Sequence, residues 1–152
     1  MLDFFSDEYF MREALRQAKL AFEADEVPVG AVVVINNRII GRAYNQVITL
    51  NDPTAHAEML AITAATNHLG SRYLNECTLY VTLEPCLMCA AALYWAQLGR
   101  LVFAATDSKQ GFRMKAHNVL HPKTAVSHGT FAQEAGELLQ VFFQQKRNNP
   151  KH

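Results

Sequence analysis

Residues 77–97 read Cys77-Thr-Leu-Tyr-Val-Thr-Leu83-Glu84-Pro85-Cys86-Leu-Met-Cys89-Ala-Ala-Ala-Leu-Tyr-Trp-Ala-Gln97, and two kinds of element meet inside them. Cys77 to Leu83 is a β-rich apolar run of the length of a buried strand. Pro85 suits the opening of a helix, because the first helical turn has no use for the N–H that proline lacks, and this helix runs to about Gln97. No charged residue occurs from Cys86 to Gly99, so the helix is buried on most sides or covers a second subunit. Leu101-Val-Phe-Ala-Ala105 follows as another strand. Strands alternating with helices in mid-chain imply an α/β sandwich, with helices covering both faces of a mixed sheet.

Outward from this stretch the pattern is consistent. Ser6 is a helix N-cap with Asp7 and Glu8 in the first turn, and Phe10, Met11, Ala14, Leu15, Ala18, Ala21 and Phe22 follow at helical spacing. Val29 to Ile35 and Arg38 to Tyr44 are β-rich runs joined by Asn36-Asn37, a pair that tolerates positive φ and suits a tight hairpin. Asp52-Pro53-Thr54 offers a helix start, the helix running to Leu69 before Gly70 stops it. Residues 106–124 read as a long polar loop with one helical turn, Thr124 to His128 as a short edge strand, and Phe131 to Arg147 as a last helix. Nothing resembles a linker or repeat, and one domain is expected over 1–152.

The chain has 152 residues, half of them apolar and 18% charged, with 14 basic and 14 acidic side chains. Its apolar runs fall well short of the roughly 18–20 residues of a membrane span, and the start Met-Leu-Asp-Phe-Phe lacks a basic leader, so a soluble, unexported protein is expected. Zero net charge argues against a generic polyanion binder. The balance is uneven, however. Residues 1–99 carry 11 acids and 6 bases, net −5, and residues 100–152 carry 3 acids and 8 bases, net +5. A polyanion would meet the C-terminal third.

The chemistry lies in His56-Ala57-Glu58 at one helix start and Pro85-Cys86-Leu87-Met88-Cys89 at the next, thirty residues on. Cys86 and Cys89, at i and i+3, put two sulfurs on one helical face, where they can grip one metal. Two thiolates and an imidazole suit Zn²⁺, and three protein ligands leave the fourth tetrahedral position open, the mark of a catalytic site. His56 and Glu58 are about 200° apart round a helix, so they act together only if the metal sits off the helix N-terminus, where unpaired N–H groups favour anionic ligands. Cys77, about 20 Å from Leu83 along a strand, reads as a core thiol.

The pattern H-x-E with P-C-x-x-C resembles the zinc-dependent deaminase superfamily. Glu26-Val-Pro-Val-Gly30, Asn45, Asp52 to Met59, Thr78 to Cys89, Gly99 to Phe103, Asp107 and the terminal Phe142-Phe143 helix resemble, along essentially the whole chain, the bacterial tRNA adenosine deaminases of the TadA type. That resemblance implies a cytidine-deaminase-like three-layer α/β/α sandwich with a central mixed five-stranded sheet. It implies conversion of adenosine to inosine at the wobble position of a tRNA anticodon, with one Zn²⁺ per subunit held by His56, Cys86 and Cys89 and with Glu58 shuttling the protons. By the same resemblance Asn45, Asp107, Val29 and Phe143 contact substrate, the partner is a tRNA anticodon stem-loop, and the protein is a cytoplasmic homodimer. Either Phe142 or Phe143 faces the core, leaving the other for a flanking base, and Lys109, Arg113, Lys115, Lys123, Lys146 and Arg147 are candidate phosphate contacts. Two stretches depart from the type. The loop Ser108 to His117 is bulkier and more basic, and Ala92-Leu-Tyr-Trp-Ala96 resembles the bacterial guanine deaminases, so deamination of a free purine base or nucleoside stands as the alternative. A non-catalytic zinc-binding module is the third reading, and it leaves Glu58 and the open coordination position without a task.

Overall fold

The computed structural model describes residues 5–149. In chain order its elements are α1 (Asp7–Glu23), β1 (Gly30–Ile35), β2 (Arg38–Tyr44), α2 (Ala57–Leu69), β3 (Thr78–Leu83), α3 (Leu87–Trp95), β4 (Arg100–Ala105), α4 (Phe112–Lys115), β5 (Ala125–His128) and α5 (Ala132–Asn148). The strands form one mixed sheet in the order β2-β1-β3-β4-β5. The pairs β1/β2 and β1/β3 are antiparallel, while β3/β4 and β4/β5 are parallel. The β1–β2 hairpin turns on Asn36 and Asn37 at φ 48° and 62°, the positive dihedrals that a tight hairpin needs and that asparagine tolerates.

Side chains alternate across the central strands and so build two cores. Val32, Val34, Tyr80, Val102 and Ala104 meet Phe10, Met11, Ala14 and Leu15 of α1 and Ala135 of α5. Ala31, Val33, Leu79, Val81, Leu101 and Phe103 meet Ala57, Ala61 and Ala65 of α2 and Ala90 and Leu93 of α3. The sequence reading of helices on both faces of a five-stranded mixed sheet therefore holds. Small residues set the close layer spacing. A Cβ on Gly30 would press into the Ala14 carbonyl and the Ala18 amide of α1, and one on Gly41 would lie 2.9 Å from the Ala61 carbonyl of α2.

Two helix starts differ from expectation. Helix α2 begins at Ala57, not at 52–54, because the Asp52 carboxylate accepts the Thr54 amide at 2.8 Å and closes a turn of its own; such Asx turns compete with helix. Helix α3 begins at Leu87, with Pro85 outside it. Both differences put the chemistry-bearing residues at helix caps, and this governs the site. The single turn expected in the polar loop is α4, and the edge strand is β5.

Candidate metal and substrate site

Strands β3 and β4 run parallel and end side by side at Leu83 and Ala105. Their carboxyl ends deliver Glu84-Pro85-Cys86 and Thr106-Asp107 to one rim of the sheet, the place where open α/β sheets bind ligands. The N-termini of α2 and α3 point to the same rim. His56 is the N-cap of α2 and Cys86 the N-cap of α3, yet neither side chain makes the usual capping hydrogen bond. Both turn outward to a common point. The His56 Nδ1 lies 3.6 Å from the Cys86 Sγ and 3.5 Å from the Cys89 Sγ, and all three ligand atoms fall within 4.8 Å of one another.

Those separations suit a metal. Tetrahedral Zn²⁺, with bonds of about 2.3 Å to sulfur and 2.0–2.1 Å to nitrogen, sets sulfur and nitrogen about 3.6 Å apart. Two thiols and one imidazole form the donor set that zinc favours, and the helix N-termini favour negative ligands. The hydrogen bond from Cys89, then that from His56, draws the Cys86 thiol well below its ordinary value. Cys89 is held protonated by its bond to Cys86 and by burial, and the bond to Cys86 raises His56. Cys77 stays apart, buried at the foot of β3, with burial raising its thiol.

Glu58 lies in the first turn of α2, 4% exposed. Burial pushes its carboxyl up to about 7, and the side chain is hydrogen-bonded with Cys89. A carboxyl poised near neutrality can take and return a proton with little driving-force penalty either way.

Above this floor opens a cavity of about 380 Å³, and Val29, Asn45, Asp107 and Phe142 line it together with His56 and Glu58. Val27, Val47, Ile48 and Leu83 give it apolar walls. Asn45 is 8% exposed; its amide donates to the Val29 carbonyl at 3.1 Å, and among the described residues its side chain has no hydrogen-bond partner. Asp107 borders the cavity while its Oδ1 accepts the Lys109 and Gln110 amides, each at 3.0 Å, so it caps its own turn. Of the paired phenylalanines, Phe142 is the buried one that lines the cavity; Phe143 does not line it but lies 43% exposed beside a neighbouring cleft that also reaches Asp107. Three of the four expected substrate residues, Val29, Asn45 and Asp107, thus converge; Phe143 does not, and Phe142 lines the cavity in its place.

Two buried carboxylates at this rim escaped the sequence reading. Glu26, 1% exposed, accepts the Ile48 and Thr49 amides at 3.1 and 2.6 Å and the Thr49 hydroxyl at 2.6 Å, which holds the 46–52 loop over the cavity. Glu84, 3% exposed, does the same for the loop after β4. Glu26 closes the acidic stretch Glu23-Ala24-Asp25-Glu26 and gave no local signal, whereas the signal for Glu84 was its place inside an apolar run, between Leu83 and Pro85. An acid there must be paired or hydrogen-bonded.

The basic side chains are also redistributed. Arg100 pairs with Asp7, Arg113 with Glu84 and Lys146 with Asp25. Lys109, Lys115, Lys123 and Arg147 are left without an acidic partner among the described residues.

Comparison with known proteins agrees with this geometry. Residues 5–105 match the family described as the cytidine and deoxycytidylate deaminase zinc-binding region. The chain is 48% identical over 146 residues to a tRNA-specific adenosine deaminase of Aquifex aeolicus, covering 93% of this chain and 97% of that protein. A solved structure from a study of A-to-I editing by tRNA:A34 deaminases at the wobble position superposes with a TM-score of 0.80 at 42% identity, over 86% of this chain and 99% of that one. A guanine deaminase from Bacillus subtilis gives a TM-score of 0.65 at 38% identity, over 74% of this chain and 70% of that one.

Proposed function

This chain belongs to the cytidine and deoxycytidylate deaminase zinc-binding family and, within it, to the tRNA-specific adenosine deaminases, and from that premise we propose how its own residues convert a wobble adenosine of a tRNA anticodon to inosine. The observation that carries the reading is the convergence of His56, Cys86 and Cys89 on one point at the cavity floor, with buried Glu58 beside it. His56 Nδ1 and the two sulfurs hold one Zn²⁺ per chain, which supplies Lewis-acid activation of water near neutral pH. Glu58 is not needed as a ligand and so serves as the base. Its carboxylate takes a proton from water as the water oxygen bonds to C6 of adenine, and delivers it to the adjacent ring nitrogen. The same carboxyl then moves the proton of the new C6 hydroxyl to the exocyclic amine, the C6–N bond breaks as the C6=O of inosine forms, and ammonia departs.

Asn45 offers its free amide to the nucleoside inside the cavity, with Val29 against the base and Asp107 at the ribose or the nucleotide just 5′ of it. Phe142 closes the far wall. The apolar walls exclude water from the reacting face, which strengthens each polar contact there. We take residues 1–152 as one domain that acts in the cytoplasm, where free thiols persist. The partner of the uncharged helix α3 is a second copy: Trp95 is 76% exposed, with Tyr94 and Leu87 also exposed along the same helix, and clustered exposed apolar groups of this kind serve as interaction surfaces.

A paired turnover assay tests the function. The zinc-loaded protein is given an anticodon stem-loop with adenosine at the wobble position, and separately free guanine. Inosine in the RNA with guanine untouched is the expected outcome, and xanthine from guanine with the RNA untouched overturns it.

A further inference from the structure

Glu84 precedes the ligand-bearing turn by two residues, and its whole hydrogen-bonding capacity is spent on the loop after β4. Its Oε1 accepts the Asp107 amide at 3.1 Å and the Arg113 Nη2 at 3.2 Å; its Oε2 accepts the Arg113 amide at 3.1 Å and the Arg113 Nε at 3.2 Å. Burial opposes the carboxylate's charge, yet Arg113 and the two amides outweigh burial and hold its pKa below the ordinary value. The main chain adds two contacts between the same segments, the Phe112 amide donating to the Pro85 carbonyl at 2.9 Å and a bridge between Cys86 and Gly111. Position 111 has room only for glycine, since a Cβ there would run into the Glu84 carboxylate and the Asp107 carbonyl.

Arg113 is held from its other sides as well. Its guanidinium lies 5.0 Å over the Phe103 ring, and its Nη1 meets the His128 Nε2 at 3.3 Å, with His128 stacked on the same ring at 5.0 Å. All three guanidinium nitrogens are therefore engaged inside the protein, although the outer edge of the side chain reaches solvent.

We propose that Glu84 and Arg113 are positioning residues: as an ion pair with a buried carboxylate they pin the 107–113 segment, with Asp107 and Gln110 facing the cavity, against the turn that carries Cys86, and Arg113 is the counter-ion of Glu84, not a phosphate contact. The pair couples the seat of the substrate to the frame of the metal ligands, so the two loops form a single rigid edge. The kinetic test of this inference rests on the deaminase reading above, but the exchange test does not.

Hydrogen exchange on the full-length zinc-loaded protein is compared for wild type, Glu84→Gln, Arg113→Ala and the double variant. Each single variant speeds exchange of the 107–115 peptide about tenfold or more, with zinc content and the protection of α2 unchanged. With the RNA stem-loop, KM rises about tenfold while kcat stays within about threefold, as for a misplaced contact that binds without reacting. The double variant is no worse than the worse single one, because both substitutions break one device. For Arg113→Ala the slope of log KM against log salt stays at the wild-type value. Unchanged exchange of 107–115 in both single variants overturns the proposal. So does a slope reduced by about 0.7 in Arg113→Ala with the loop still protected, the signature of one lost phosphate contact. If wild type fails to deaminate the stem-loop, the deaminase reading falls, and the exchange data still decide the positioning role.

Discussion

Asn45 lines a cavity wall, with its main chain fixed to Val29 and its side-chain amide open to the cavity. A polar group so placed is wetted by the cavity and must be met by the ligand that displaces that water. Asn45→Ala should therefore cut kcat/KM on the RNA by about 10- to 100-fold, roughly 1.4–2.8 kcal/mol of transition-state binding, at full zinc occupancy. Kinetics within twofold of wild type would contradict a substrate contact at Asn45. His56, Glu58, Cys86 and Cys89 were legible because ligand chemistry, spacing and helix-start signals coincide within a few residues of each other. Phe142 and Phe143 were not, since adjacent helical residues differ by about 100° of rotation. Only the docking of α5, where Phe142 meets Phe22 at 6.0 Å, selects between them.

Helix α1 is tied to the sheet by one polar cluster. The Asp7 Oδ1 accepts the Tyr80 hydroxyl at 2.7 Å and the Arg100 Nη1 at 2.8 Å, and its Oδ2 accepts the Arg100 Nη2 at 2.6 Å. The Arg100 Nη2 also donates to the Ser127 hydroxyl at 3.1 Å, so one carboxylate joins α1, β3, β4 and β5. The hydrogen bonds from Arg100 hold the Asp7 carboxyl below its ordinary value of 3.8. The folded state thus binds this proton less readily than the unfolded chain. The stabilisation is fully present above pH 3.8 and is lost as pH falls through the lower folded value. Asp7→Asn should lower stability at pH 7 by about 1 kcal/mol, modest because both partners are about one-third exposed. In thermal melts from pH 7 to 3 the gap between wild type and variant should close at the acid end, and a gap constant across that range would contradict this assignment. Asp7 was read in the sequence as a helix-start acid, which it is. Its partner 93 residues away is set by sheet order, which no local pattern encodes. The helix starts at 57 and 87 were missed for a similar reason: Asp52 spends its start signal on its own turn, and the Pro85 carbonyl is taken by the Phe112 amide of a distant loop, so α3 starts after Cys86.

Charge separation along the chain does not become charge separation in space. Three of the eight bases in residues 100–152 fold back onto acids of the first 99, Arg100 on Asp7, Arg113 on Glu84 and Lys146 on Asp25. Few cations remain for an RNA backbone, so affinity for the stem-loop should fall only gently with salt, with a log–log slope of about −3 or shallower if four phosphates are met. A slope near −7 would imply a far larger electrostatic footprint. In sedimentation at micromolar concentration the protein should travel at twice the 17.0 kDa chain mass, and a 17 kDa species alone would contradict pairing through α3. All these surfaces serve one chemical event at the cavity floor, and that event is tested most directly by Glu58→Gln, assayed for bound zinc and for inosine formed in the stem-loop. The carboxamide preserves shape and metal but cannot shuttle protons, so one zinc per chain with turnover reduced at least about 1,000-fold is the predicted result. Near-normal turnover in a zinc-replete variant would contradict it.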